Sequence, residues 1–340
     1  MNPTEAIALS VLDLSVLNAG ATSADALQAT TQLAIAADRL GYRRFWVAEH
    51  HNMPSVACTS PTVLIAHLAA LTAQIRVGSG GVMLPNHAPL VVGEQFAMLE
   101  ALHPHRIDVG IGRAPGTDQS TAAALRRSPD GLTAEDFPQH LIDLMGLLGD
   151  PRADRGMWQQ FKATPAASSY PEIFLLGSSG YSAQLAGYLG LPFGFAHHFD
   201  MGGTLQAAEL YHQNFEPSAV LDKPYLVVTA NVLTADTDEE AQWQSGPGRI
   251  TAYGRRTGRF APLPSPADAA ANPDIEAAKR MPTSRITGDP ATVASQLRDL
   301  AARTNANELM VTSVAYDLPA RIRSLELLAG VWPISAAAAA

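Results

Sequence analysis

The sequence is poor in cysteine, with Cys58 as its single thiol in 340 residues. One cysteine cannot form an intrachain disulfide or a thiolate metal cluster, and low cysteine usage is typical of a reducing compartment. No apolar run reaches the ~20 residues that a membrane-spanning helix needs. The N-terminus also lacks the basic stretch and apolar segment of a signal peptide. We therefore expect a cytoplasmic protein with no membrane partner.

Charge is scarce as well. Charged residues make up 16% of the chain, and 32 acidic against 23 basic residues give a formal net charge of -9. No lysine-rich cluster is present, so we expect no nucleic-acid partner. Hydrophobic residues, in contrast, reach 47%. This composition predicts a large core and excludes a globally disordered chain.

Apolar runs typical of buried strands alternate with helical patterns along the whole chain. The predicted strands cover residues 7–14, 44–52, 76–84, 106–112, 172–176, 193–196, 225–233 and 308–313. Eight strands, each followed by a helix, predict a (β/α)8 TIM barrel. An open doubly wound sheet would carry a Gly-x-Gly-x-x-Gly turn after its first strand, and that turn is missing.

We expect one barrel domain over residues 1–335, followed by a frayed alanine tail at 336–340. Two long insertions with little regular structure, at about 114–132 and 236–285, are expected on the C-terminal face of the barrel.

Candidate functional residues follow the predicted strands, because strand C-termini converge on one face of a barrel. The turn Gly177-Ser178-Ser179-Gly180 precedes a helix, and its N–H groups and hydroxyls suit a phosphate, although a plain capping turn has the same composition. Arg113 ends the fourth strand, where Gly110 and Gly112 are expected to leave space inside the barrel. An arginine there suits the same phosphate, with a salt bridge as the alternative.

Glycine is unfavourable inside a strand, yet Gly78, Gly80 and Gly81 occupy three of four successive positions. This pattern indicates a flat ligand against the backbone, or else a bulge that shapes the barrel. Together with Arg113 and the serine turn, it predicts a phosphate-bearing cofactor.

The histidines admit a second interpretation. Glu49-His50-His51 and His197-His198 could ligate zinc or iron, as in a metal-dependent hydrolase. Adjacent residues on a regular strand point to opposite faces, so only one histidine of each pair can face inward. We expect His50 to face inward and His51 and His198 to pack between barrel and helices. His87 is expected to have an ordinary surface or capping role.

Several stretches resemble the bacterial luciferase-like flavin monooxygenases. They are Phe-Trp-Val-Ala-Glu-His-His at 45–51, Val-Gly-Ser-Gly-Gly-Val-Met-Leu-Pro at 77–85, Arg-Ile-Asp-Val-Gly-Ile-Gly-Arg-Ala-Pro-Gly at 106–116, residues 94–102 and the 177–179 turn. The resemblance covers about residues 7–330. It implies a homodimeric barrel that uses reduced FMN from a separate flavin reductase, with O2, to oxidise a small organic substrate, aldehyde-like or otherwise apolar. F420 is the alternative cofactor, because F420-dependent oxidoreductases share this barrel.

The resemblance also implies roles for individual residues. His50 matches a catalytic histidine that could exchange a proton near neutrality at an unperturbed pKa of about 6.5. Glu49 could orient His50, or could face away and pair with the helix layer. The expected cofactor-binding residues are Gly80, Gly81 and Val82 beside the flavin ring, where the family often has a non-proline cis peptide, and Arg113, Gly177, Ser178 and Ser179 at its phosphate. Gly112 stands where the light-emitting subunits have a reactive cysteine, so light emission is not expected.

Two further alternatives concern activity and motion. The chain could be a non-catalytic paralogue that keeps the phosphate site, although the presence of His50 favours activity. Arg249, Tyr253, Arg255, Arg256 and Arg259 have the spacing of a basic helix. This helix could be a lid that orders on flavin binding, or an ordinary solvated helix.

Overall fold

The computed structural model describes residues 7–126, 136–199 and 201–333. Its strands are β1 (Ala8–Asp13), β2 (Arg44–Val47), β3 (Arg76–Ser79), β4 (Val82–Met83), β5 (Ile107–Gly112), β6 (Glu172–Gly177), β7 (Phe193–Phe195), β8 (Leu226–Thr234), β9 (Ile286–Gly288) and β10 (Glu308–Thr312). Its α-helices are α1 (Ser23–Arg39), α2 (Pro61–Leu71), α3 (Pro89–Leu102), α4 (Gln119–Arg126), α5 (Phe137–Leu147), α6 (Gly180–Tyr188), α7 (Thr204–Gln213), α8 (Asp238–Arg256), α9 (Pro266–Ala271), α10 (Ile275–Arg280), α11 (Pro290–Thr304) and α12 (Leu318–Val331).

Eight parallel strands close into a barrel in the order β1, β2, β3, β5, β6, β7, β8 and β10, and β10 pairs back with β1. The (β/α)8 prediction is therefore confirmed. The strands are nearly continuous apolar runs because their outer faces pack against the helix layer. Small differences concern strand ends: β2 stops at Val47, so Glu49 and His50 lie in the loop beyond it.

The predicted strand at 76–84 is divided in the structure. A cis peptide bond joins Gly80 to Gly81, and the chain then continues as β4. A Cβ atom on Gly110 would lie 2.1 Å from the Ser79 carbonyl oxygen, so glycine is required there for β3 and β5 to approach. The Ser79 hydroxyl uses this closeness to bond the Gly110 amide at 2.9 Å. The prediction that Gly110 leaves open space is wrong, because the neighbouring strand fills it.

Buried charges close the N-terminal end of the barrel. The Arg44 guanidinium bonds Asp108 at 2.9 Å and Glu308 at 3.1 Å, and all three side chains are almost completely buried. The Trp46 indole N–H donates to Asp108 at 2.8 Å, and its ring meets Phe174 edge-on at 4.9 Å. Burial raises the pKa of Asp108, but the charges of Arg44 and Arg76 outweigh it and lower the pKa. Among the residues described, this cluster fills the N-terminal end of the barrel, which leaves the opposite end for a ligand.

The segment 236–285 forms three helices, so the prediction of an insertion with little regular structure is wrong there. The predicted basic helix is present as α8, which carries Arg249, Tyr253, Arg255 and Arg256. Arg259 lies beyond the end of α8 and pairs with Asp274 at 2.8 Å. Of the other insertion, α4 is described, while residues 127–132 lie outside the described ranges. None of the described helices is both long and apolar enough to cross a bilayer.

Candidate active site

A cavity of about 910 Å³, counting its open mouth, lies at the C-terminal end of the barrel. We refer to it as the barrel cavity. Each of the eight barrel strands, or the loop directly after it, contributes lining residues. They include Leu12, Trp46, His50, Gly80, Gly81, Gly112, Arg113, Leu176, Gly177, Ser178, Ser179, His198, Thr229 and Met310.

One end of the barrel cavity suits an anion. The Arg113 guanidinium carbon lies 4.4 Å from the centroid of the Tyr181 ring, in the first turn of α6. Ser179 is the N-cap of α6, and its hydroxyl makes no capping bond. The first N–H groups of a helix have no partners within it. The structure thus brings together Arg113 and the serine turn, which the sequence separates by more than 60 residues.

One wall of the barrel cavity contains Gly80 and Gly81, with Trp46 and Leu176 among the other lining residues. A Cβ on Gly81 would lie 2.7 Å from the Gly110 carbonyl oxygen, so glycine lets this segment approach β5 closely. The Val82 side chain is placed differently from the sequence expectation: it is buried in the hydrophobic core and does not line the cavity.

His50 also lines the barrel cavity, and its Nδ1 is buried without a hydrogen-bond partner. Burial and the charge of Arg255 lower the pKa of His50, against an opposing effect of Glu49. The lowered pKa favours the neutral imidazole. This corrects the expectation of an unperturbed histidine that titrates near neutrality.

Glu49 faces away from the barrel cavity and its side chain is fully buried. Its Oε1 lies 2.9 Å from Nε2 of both His51 and His87, and its Oε2 accepts the Met83 amide at 3.0 Å. Burial raises the pKa of Glu49, but these bonds and the His87 charge outweigh it and lower the pKa. The carboxylate thus joins the loops after β2 and β4 and makes no hydrogen bond with His50. The prediction of an ordinary surface role for His87 is wrong.

His198 is the lining residue that the sequence placed incorrectly. It lies on a single 3-10 turn, His197–Phe199, rather than on a regular strand, so the alternation rule does not apply. Its Nδ1 is buried without a partner, and it faces the barrel cavity together with His50. Burial lowers the pKa of His198 to about 3, so it too is neutral. Ser182 and Met83 also line the cavity, and their sequence surroundings gave no signal of it.

The candidate metal ligands of the sequence do not converge. Glu49 is bound to His51 and His87, and the His197 Nδ1 lies 2.8 Å from the Thr204 hydroxyl. Within the described residues, no group of three or more His, Cys, Asp or Glu side chains is placed to hold a metal ion.

Comparison with known proteins places this site in a family. The model of the luciferase-like monooxygenases matches residues 8–307. The chain belongs to the luciferase-like monooxygenase family. It is 41% identical over 327 residues to a luciferase-like monooxygenase of Escherichia coli (strain K12), covering 94% of this chain and 96% of that one. Among solved structures, apo-MsnO8 is 37% identical, with a TM-score of 0.87 and coverage of 96% and 98%.

More distant structures show the same luciferase-like fold. The oxygenating constituent of 3,6-diketocamphane monooxygenase from Pseudomonas putida, solved with FMN, is 19% identical, with a TM-score of 0.70 and coverage of 96% and 97%. An F420-dependent secondary alcohol dehydrogenase is 14% identical, with a TM-score of 0.69 and coverage of 96% and 99%. These two show only that the fold is shared. Family membership makes the protein an oxidoreductase and favours that prediction over the metal-dependent hydrolase.

In this luciferase-like barrel, position 112 carries no thiol. Gly112 lines the barrel cavity, and a Cβ there would lie 2.9 Å from the Met83 sulfur. Cys58 lies elsewhere, buried, with its thiol donating to the Ala48 carbonyl at 2.7 Å. Burial raises the pKa of Cys58 to about 12, so this cysteine stays a thiol.

Proposed function

We propose that the protein is a flavin-dependent monooxygenase that uses reduced FMN and O2 to oxidise a small organic substrate. The observation that carries the proposal is the construction of the barrel cavity. It combines Arg113 and the serine turn, which suit an anion, with the side-chain-free Gly80-Gly81 segment and with His50, whose pKa is lowered by burial.

The residues present fit FMN. Arg113, Ser178 and Ser179 would hold its phosphate, and the glycine wall would lie along its ring. Bound reduced FMN supplies the electrons with which one oxygen atom of O2 is transferred to the substrate and the other leaves as water. F420 is the alternative cofactor, and binding measurements distinguish the two.

The protein's own contribution is to position the reactants, exclude water and handle protons. Apolar side chains such as Leu12, Trp46 and Met310 line the barrel cavity and keep it dry. Neutral His50 can hold or accept a proton at Nδ1, the atom without a partner. Glu49 acts as a positioning residue, because it fixes the loop that carries His50 without facing the cavity.

The proposal also includes a separate flavin reductase. Purified protein mixed with NADH and FMN alone should leave the flavin oxidised, whereas an added flavin reductase should start substrate-dependent O2 uptake. Reduction of FMN by this protein alone would contradict this part of the proposal.

We further propose a homodimer. Helices α2 and α3 expose Val63 at 70%, Leu102 at 63% and Met98 at 52% of their surface. Apolar surface of this kind on adjacent helices is typical of a subunit interface. Light scattering should give twice the chain mass, and Met98→Glu should shift it towards the monomer. A wild-type monomer at micromolar concentration would contradict the dimer.

An anaerobic titration tests the cofactor. We expect reduced FMN to bind to the purified protein and F420 to bind far more weakly. Arg113→Gln should weaken FMN about tenfold or more, because a charge-assisted phosphate contact is worth about 1.5–3 kcal/mol. Riboflavin, which lacks the phosphate, should be unaffected. Arg152→Gln, at an arginine that pairs with Asp150, is the matched control. Tight F420 binding, or equal loss of FMN and riboflavin, would overturn the assignment.

A further inference from the structure

A second cavity of about 1270 Å³ with its open mouth adjoins the barrel cavity. We refer to it as the side chamber. His50, His198, Leu14 and Phe199 line both cavities, so the two share a wall. The proposed function explains the barrel cavity, in which FMN fits, but gives the side chamber no occupant.

Cationic side chains from two segments meet in the side chamber. Arg255 and Arg256 come from the last turn of α8, and Arg285 comes from the residue directly before β9. Arg285 is anchored by a bond from its Nη2 to the Gly248 carbonyl at 3.1 Å. Arg256 makes no hydrogen bond or ion pair with the residues that the structure describes. Among the described lining residues there is no aspartate or glutamate. This local excess of positive charge is notable in a chain with a net charge of -9.

The position of Arg255 and Arg256 has a simpler explanation, since basic residues in a last turn stabilise the helix dipole. That explanation does not account for Arg285, which lies on another segment and points into the same space. It also does not account for the unpartnered polar atoms around that space. The buried Thr251 hydroxyl and the Nδ1 atoms of His50 and His198 have no hydrogen-bond partner.

The remaining walls of the side chamber are apolar. Val16, Met53, Val56 and Leu263 line it. Apolar walls stabilise a hydrocarbon by removing its surface from water, whereas guanidinium groups select carboxylate, sulfonate or phosphate oxygens. The occupant that suits such a chamber has an apolar body and one anionic group.

We propose that the side chamber binds the substrate and that the substrate is an organic anion. Its anionic group is held by Arg256 and Arg285, and its apolar body extends along the wall towards His50 and His198, where the barrel cavity begins. This inference rests on the proposed function and specifies its substrate class. It departs from the expectation of an aldehyde-like or purely apolar substrate.

The proposal can be tested by calorimetry on the flavin-free protein with three probes that share an eight-carbon chain: octanoate, octane-1-sulfonate and octan-1-ol. We expect both anions to bind at least tenfold more tightly than the alcohol. Arg256→Gln should weaken both anions about tenfold and leave the alcohol unchanged, and Arg256→Lys should restore part of the loss. Arg249→Gln is the matched control on α8, because Arg249 bonds Ser245 and Gln242 and does not line the chamber.

The two anions distinguish a carboxylate site, where octanoate binds more tightly, from a sulfonate or phosphate-like site. Three results would overturn the proposal. Octanol could bind as tightly as the anions, none of the probes could bind, or Arg256→Gln could leave anion binding unchanged. If Arg256→Gln weakened FMN but not riboflavin, the proposal would also be overturned, because the chamber would then hold the cofactor phosphate. Since the probes are measured without flavin, failure of reduced FMN to bind would refute the proposed function separately.

Discussion

Replacing Glu49 by glutamine tests whether this residue positions the site or takes part in the chemistry. The carboxylate receives the Met83 amide and contacts two histidines within 3.0 Å. Glutamine has one acceptor oxygen, so at least one buried donor loses its partner at a cost of about 1–3 kcal/mol. The remaining hydrogen bonds lose the carboxylate's negative charge, and a charged partner roughly doubles the strength of a hydrogen bond. We expect the free energy of unfolding in urea to fall by about 2–4 kcal/mol.

The stability that Glu49→Gln loses should depend on pH in a defined direction. The folded-state pKa of Glu49 is lowered, so its stabilising effect is present above the unfolded pKa of about 4.3 and is lost as pH falls through the folded value. Wild type and Glu49→Gln should therefore differ most above about pH 5 and converge in acid. Glu94→Gln is the control, because Glu94 receives a single bond from Thr164 at 3.1 Å. Its unfolding free energy should change by less than about 0.5 kcal/mol.

Flavin binding and turnover complete the test of Glu49. If it only positions the loop, Glu49→Gln should weaken flavin binding in proportion to its loss of stability and leave the shape of the pH–rate profile unchanged. Unchanged stability with abolished turnover would refute this reasoning and make Glu49 a catalytic residue.

Three other predictions follow from the geometry. An NMR titration of the histidines, with the His50 signal assigned by the His50→Asn variant, should give His50 a midpoint below pH 6.5. Burial and a nearby arginine lower its pKa, so a midpoint at or above 6.5 would contradict this prediction. Arg44→Ala should lower the free energy of unfolding in urea by about 3–5 kcal/mol, because the buried carboxylates of Asp108 and Glu308 lose a positively charged partner. A loss below about 1 kcal/mol would contradict this prediction. Gly110→Ala should destabilise by about 1–3 kcal/mol and weaken FMN, because its methyl would meet the Ser79 carbonyl at 2.1 Å; full FMN affinity would show that β3 adapts.

The barrel was predictable because its signal is local and repeated. Each strand is a short apolar run that ends in glycine, proline or polar residues, and eight such runs leave few alternatives. Arg113 and the 177–179 turn could be assigned to one site for the same reason, since strand ends in a barrel must converge. Helix α8 was also visible from the spacing of its arginines, although its neighbours α9 and α10 were not.

The parts that could not be predicted depend on contacts between distant segments. Gly110 was assigned to open space, yet β3 fills it, and no residue near position 110 carries that information. His87 was assigned to the surface because its partner Glu49 lies 38 positions earlier in the chain. His198 was assigned outward because the alternation rule assumes a strand, and a 3-10 turn replaces the strand there.

The wall shared by the two cavities has a consequence for the size of molecule the protein can accept. His50 and His198 face both cavities, so moving either side chain to enlarge one space reduces the other. With FMN in the barrel cavity and substrate in the side chamber, as proposed, the two imidazoles would link the volumes available to these molecules. The protein should therefore accept larger substrates when the apolar far side of the side chamber is changed, at Val16 or Leu263. Changes there alter capacity and leave the cofactor's surroundings intact.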